Sequence, residues 1–227
     1  MTHTNIDDVN SKKEKRKIKS STKIEIANSI THGLGIIAGI VFLLMLVIPA
    51  AKEGNVTKVV AFSLYGAFFI FMFLSSTIYH AITNEKAKRI LRVLDHSSIY
   101  LFIAGTYIPI ILLVLKGRLK IALLVLICSL AFIGVLYKIF SYGKYDKFKG
   151  LSTILYIGMG WIAIFFIKPI LNATSPMFFF WILLGGLLYS GGTYFYKKDS
   201  KYAHIVWHVF VLAAAVAQFL GIYLYLL

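Results

Sequence analysis

Apolar residues along this chain fall in long unbroken runs, not in alternating or helical stripes. Seven runs can be read, at about 29–50, 59–82, 93–115, 120–138, 151–171, 176–196 and 204–227. A bilayer core about 30 Å thick needs roughly 20 apolar residues at about 1.5 Å rise each, so every run is close to long enough to cross it as a helix. Open sheet edges are not tolerated in lipid, and barrel strands would show about ten residues of alternating character, which these runs lack. The fold class predicted is all-α: a polytopic membrane protein of seven transmembrane helices. Residues 1–23 read as a basic, flexible cytoplasmic tail and residues 24–227 as the transmembrane domain.

Composition agrees: 59% of the 227 residues are hydrophobic, more than a soluble domain of this size would carry. A net charge of +15 would by itself suggest nucleic acid, but its distribution points to a membrane surface. Seven Lys/Arg lie in the first 23 residues, which lack the apolar core of a signal peptide. Lys86, Lys88, Arg89, Arg92, Lys138, Lys144, Lys147, Lys149, Lys197, Lys198 and Lys201 fall near the same side of the seven spans. Lys52, Lys58, Lys116, Arg118, Lys120 and Lys168 fall on the other. The positive-inside rule then places the N-terminus in the cytoplasm and, after seven spans, the C-terminus outside. The basic loops would favour anionic lipid head groups, and no nucleic-acid partner is needed. The single cysteine, Cys128, sits inside an apolar run and rules out a disulfide frame or a cysteine metal site. Gly35 and Gly39, Gly158 and Gly160, and Gly185 and Gly186 read as points of close helix approach.

Polar residues within the spans are few and do not scatter. The second span ends in "SSTIYHAI", with Ser76 and His80 one turn apart on one face. The third begins "RVLDHSSIY", with Asp95 just inside the boundary, and the seventh begins "HIVWH", with His204 and His208 four apart. The charge-derived topology puts all five at the cytoplasmic ends of their helices. Each ionisable group in lipid costs roughly 2.5–3.5 kcal/mol on insertion scales, so a shared depth calls for a shared partner. Three imidazoles from two helices can supply three ligands to a tetrahedral zinc with the fourth position left to water, the catalytic type of site. Asp95 could act as general base toward that water, and Ser76 could steady it or a developing oxyanion.

Each residue also has a plainer reading. The histidine pair could bond lipid phosphate at the interface, Ser76 could back-bond to its own helix, and Asp95 could pair with Arg92. Imidazole suits copper, iron and nickel as well, so these donors leave the metal open. His3 belongs to the charged tail. His96 adjoins Asp95 but should face elsewhere, since successive helical residues diverge by about 100°. His32 could contact a helix-end Asn28 or support the site from behind, and Glu25 reads as part of an interfacial helix.

Taken together, "EIANSITHGLG", the Ser76–His80 spacing, Asp95 in "LDHSSIY" and "HIVWH" resemble the bacterial hemolysin III family. That family belongs with the progestin and adipoQ receptors and more distantly resembles the alkaline ceramidases. The resemblance runs from about Glu25 to the end of the sequence. It implies zinc held by His80, His204 and His208, with Asp95 and Ser76 as auxiliaries, in the inner (cell) membrane of a bacterium. The expected activity is hydrolysis of an amide or ester bond in a membrane lipid. The alternatives are a non-catalytic zinc-containing receptor or sensor, and a membrane-permeabilising hemolysin.

Overall fold

The computed structural model describes the backbone of residues 6–143, 145–198, 200 and 202–227, and side chains within 22–143, 150–198, 200 and 202–227. Its helices are α1 (Ile6–Lys52), α2 (Val56–Ala81), α3 (Glu85–Leu113), α4 (Gly117–Phe140), α5 (Tyr145–Gly160), α6 (Ile167–Ala173), α7 (Pro176–Lys197) and α8 (Ala203–Leu226). A 3-10 segment, Trp161–Phe166, joins α5 to α6, so that these pieces make one span. Among the described residues seven stretches are long and apolar enough to cross a membrane: 22–52, 56–81, 85–113, 117–140, 150–173, 176–197 and 203–226. They match the seven apolar runs, extended at most ends by the polar residues that cap and flank them. The protein is an all-helical, multi-pass membrane protein. The side chains of residues 1–21, on which the tail reading turns, lie outside the described residues, as do those of Lys144, Lys147, Lys149 and Lys201.

Short polar connections punctuate the helices for local reasons. Asn55 and Asn84 cap α2 and α3 by accepting the backbone N–H groups of Lys58 and Ala87, and Ser175 caps α7 by accepting that of Phe178. Gly54 and Gly117 turn the chain at φ 65° and 59°, the left-handed region where a side chain is disfavoured.

α1 packs on α2, α2 on α3, α3 on α4 and α7 on α8, and α8 returns to touch α1 and α3. α3 is the most buried span and the one that touches α2, α4, α5 and α8 together. Lipid gives no hydrophobic drive for helix pairing, so close packing must supply it. A Cβ on Gly35 would lie 2.1 Å from the Phe73 ring, so the absence of a side chain there is what admits α2. Gly158 and Gly160 differ from expectation: among the described residues nothing lies within 4 Å of where their Cβ atoms would be, and they bring no described helix close. Large apolar side chains such as Ile37, Ile121, Phe132 and Phe165 face outward, where a bilayer would cover them.

The fifth span breaks its α-helical ladder next to α3, and one side chain meets the freed groups. The Tyr107 hydroxyl donates toward the carbonyls of Met159 and Gly160 (3.2 and 2.8 Å) and accepts the N–H of Ala163 at 2.9 Å. Irregular backbone at membrane depth is tolerated where protein partners satisfy it in this way.

Candidate metal centre

α2 and α8 present the three histidines to one point. His80 sits at the last turn of α2, and His204 and His208 occupy the first two turns of α8 on the same face. One ligand nitrogen from each lies within 4.8 Å of the other two. The ring centroids are 5.2 Å apart for His80–His204, 5.0 Å for His80–His208 and 4.5 Å for His204–His208. His80 and His208 are buried, and His204 is partly so. The sequence motifs, 124 residues apart between His80 and His204, thus form a single cluster.

The outer nitrogens of the buried pair are already spoken for. His80 Nδ1–H donates to Glu25 Oε2 at 2.9 Å, and Lys88 Nζ lies 3.0 Å from the same oxygen. His208 Nδ1–H points between the Asn28 carbonyl (3.3 Å) and the Thr31 hydroxyl oxygen (3.2 Å). With the proton held on Nδ1, each Nε2 keeps its lone pair, the arrangement by which outer partners fix the tautomer of metal-ligating histidines. His80 Nε2 is buried with no hydrogen-bond partner among the described residues. A buried acceptor without a partner carries a free-energy penalty that an ion at this point would relieve. Three imidazoles with ligand atoms converging on one point, one of them with a buried nitrogen that has no hydrogen-bond partner among the described residues, fit a metal ion.

Beside the cluster opens a cavity of about 160 Å³. Ser76, Asp95, His96, His204, His208 and His32 line its polar end. From there it runs between α3, α5, α7 and α8 along mostly apolar walls that include Ile103, Ile110, Ile182 and Val211. The structure therefore brings Asp95 and Ser76 to the cavity that the α8 histidines also line. Ser98 fixes the backbone there: its hydroxyl donates to the Asp95 carbonyl at 2.7 Å and accepts from Ser75, next to Ser76, at 2.9 Å.

Two residues, His96 and Glu25, stand differently from the sequence reading, and His32 takes the supporting place that reading offered it. His96 does not face away: its Nδ1–H donates back to the Arg92 carbonyl at 2.9 Å, which turns the ring toward Asp95, 3.4 Å from Oδ2. The adjacent pair shares the cavity because the side chains reach around the helix toward a common space. His32 is stacked on His208, with centroids 3.6 Å apart and both ring nitrogens buried without a hydrogen-bond partner among the described residues, while Asn28 serves His208 through its carbonyl. Glu25 is no mere interfacial group, since it holds His80. The available signal was the recurrence of Glu25, Asn28 and His32 at intervals of three and four, a polar stripe on an otherwise apolar helix.

The model of the family described as Haemolysin-III related matches residues 20–219. The chain is 44% identical over 204 residues to a protein named Hemolysin-3 homolog from Bacillus subtilis (strain 168), covering 89% of this chain and 94% of that protein. It is 42% identical over 206 residues to Hemolysin-3 from Bacillus cereus, covering 90% and 93%. A more distant relative is the Monocyte to macrophage differentiation factor of Homo sapiens, 28% identical over 207 residues and covering 88% and 83%.

Proposed function

The chain belongs to the haemolysin-III family, and on that premise we propose that it is a zinc-dependent membrane hydrolase that cleaves an amide or ester bond in a lipid. The observation that carries this reading is the junction of a three-histidine cluster with the polar end of a long apolar cavity. Such a cavity suits an acyl chain, and its polar end would bring the head-group linkage beside the histidines.

His80, His204 and His208 would hold zinc, with Glu25, Asn28 and Thr31 orienting two of the rings. Zinc, when bound, would supply Lewis-acid activation of a water at neutral pH. The Asp95 carboxylate would accept that water's proton, and the Ser76 hydroxyl would donate to charge developing on the carbonyl oxygen. The apolar wall would hold the chain and exclude bulk water. We place this end of the bundle in the cytoplasm, because the basic residues of the connections concentrate there.

The test joins metal content to turnover. Elemental mass spectrometry on detergent-purified protein should find about one zinc per chain, lost in His80→Ala and in the His204→Ala/His208→Ala double variant. A lipid panel incubated with wild type should then show release of a fatty acid. A folded wild type that holds no metal would defeat the reading at its root. Zinc without cleavage of any amide or ester lipid would leave a zinc-containing sensor in its place.

A further inference from the structure

The polar end of the cavity holds a pair of side chains that the metal centre and its auxiliaries do not use. His96 on α3 and Tyr196 in the last turn of α7 both line it, with Nε2 of the one 3.4 Å from the hydroxyl oxygen of the other. His96 is held at two points. Its Nδ1–H donates to the Arg92 carbonyl at 2.9 Å, and its own carbonyl accepts the Tyr156 hydroxyl at 2.8 Å. A carbonyl only accepts, so in the uncharged ring the proton sits on Nδ1 and Nε2 carries the lone pair. With Nδ1 turned back on its own helix, the edge given to the cavity is the one that bears Nε2. The His96 side chain keeps 13% of its surface accessible and Asp95 beside it 15%, so both can be reached from the cavity.

The place of this pair is that of a head group, not of a chain. Tyr196 closes α7 and His204 opens α8, with their rings 6.2 Å apart. The apolar walls, with Ile103, Ile110 and Ile182, run the other way into the bundle. A lipid whose linkage lies at the histidines therefore lays its chain along those walls and turns its head group toward His96 and Tyr196.

The two side chains together complement one functional group. Their own hydrogen bond, at 3.4 Å, is longer than an ordinary one. A hydroxyl oxygen about 2.8 Å from both atoms would accept from Tyr196 and donate to Nε2, exchanging one long bond for two of normal length. An ether or a methyl group in that place offers Nε2 no proton. A phosphate is opposed by charge, since Asp95 Oδ2 lies 3.4 Å from His96 Nδ1. We propose that His96 and Tyr196 form a head-group subsite selective for lipids that carry an uncharged hydroxyl within a few bonds of the linkage. This deepens the proposed function by naming the class of head group, and it rests on that reading for the presence of a lipid in the cavity.

The experiment is a binding competition on the full-length protein in detergent, displacing a fluorescent fatty acid. The competitors are N-(2-hydroxyethyl)stearamide and N-propylstearamide, which exchange a hydroxyl for a methyl group at one position. Displacement is read on mixing, before turnover. The hydroxylated amide should bind about tenfold more tightly to the wild type, within the worth of two net hydrogen bonds. The preference should fall to near one in Tyr196→Phe and in His96→Phe, with melting temperature read alongside to show that each variant is folded. If His96→Phe does not fold, Tyr196→Phe decides alone. The phosphate ester of the hydroxylated amide should bind more weakly than the amide itself. Equal affinity of the two amides for the wild type would overturn the proposal, as would a preference kept in both variants or tighter binding of the phosphate ester. Displacement by neither amide would overturn it together with the lipid reading of the cavity. Because binding alone is read, a protein that prefers the hydroxyl and cuts no lipid would lose the enzymatic reading and keep this subsite.

Discussion

Glu25 holds His80 across the interface of α1 and α2, its carboxylate accepting the Nδ1 proton at 2.9 Å while Lys88 lies 3.0 Å from the same oxygen. The chain Lys88–Glu25–His80 ties the basic start of α3 to a buried imidazole whose other nitrogen has no hydrogen-bond partner among the described residues. Glu25 thereby sets both the tautomer and the direction of the ring.

Removing that charge should therefore weaken metal binding without destroying the ligand set. Glu25→Gln keeps the length of the side chain and loses the carboxylate. Zinc affinity should fall by about 10- to 100-fold, the usual cost of a lost outer partner. Competition with a chromophoric chelator reads it directly. An unchanged affinity would show that the contact is only a surface ion pair.

Asp95 separates binding from chemistry. It lies outside the histidine cluster and lines the cavity that the substrate would occupy. Asp95→Asn should retain about one zinc per chain and lose turnover by roughly 10²–10⁴-fold, as expected for a missing general base. Wild-type rates of lipid cleavage in the variant would strip Asp95 of that role.

The spans were legible because lipid imposes one demand on every residue within them, and a run of apolar side chains is its direct trace. His204 and His208 were legible together because a spacing of four places them on one helical face. Their meeting with His80 followed only from depth, which the distribution of charge supplied. Glu25 was not legible as a partner, since it lies 55 residues from His80 and the contact depends on how α1 docks against α2. His96 was misjudged for a related reason. Its backbone direction is fixed by the helix, but its ring direction is set by a hydrogen bond to Arg92, which residue spacing does not encode. Gly158 and Gly160 show the converse, since glycine in a span permits close approach without requiring it.

The glycines give a paired stability test. Gly35→Ala would drive a methyl group into the Phe73 ring, 2.1 Å from its nearest atom, and α1 or α2 must shift to admit it. The cost should be about 1–3 kcal/mol, seen as a lower melting temperature in detergent. Gly158→Ala meets open space within α5 and should be neutral or stabilising, by up to about 1 kcal/mol from helix propensity. Equal destabilisation by both changes would mean that helix contact is not what Gly35 serves.

The last prediction concerns which leaflet the site serves. Lys86, Lys88, Arg89 and Arg92 at the start of α3 and Lys197 and Lys198 at the end of α7 lie toward the histidine end of the bundle. The connections at the opposite end carry Lys52, Lys58, Lys116, Arg118, Lys120 and Lys168, six basic residues against the eleven that the sequence puts in the connections of the histidine side. The asymmetry should fix the N-terminus and the histidines on the cytoplasmic side. A green fluorescent protein joined ahead of Met1 should fluoresce, and alkaline phosphatase joined after Leu227 should be active. The opposite pair of results would put the cavity's polar end outside. Exchanging the basic residues of the α2–α3 connection for neutral ones should then weaken the bias in proportion to the charge removed, and the lipids within reach of Asp95 would change with it. Orientation thus decides which leaflet supplies the substrate, and the reporter fusions should precede any search for that lipid.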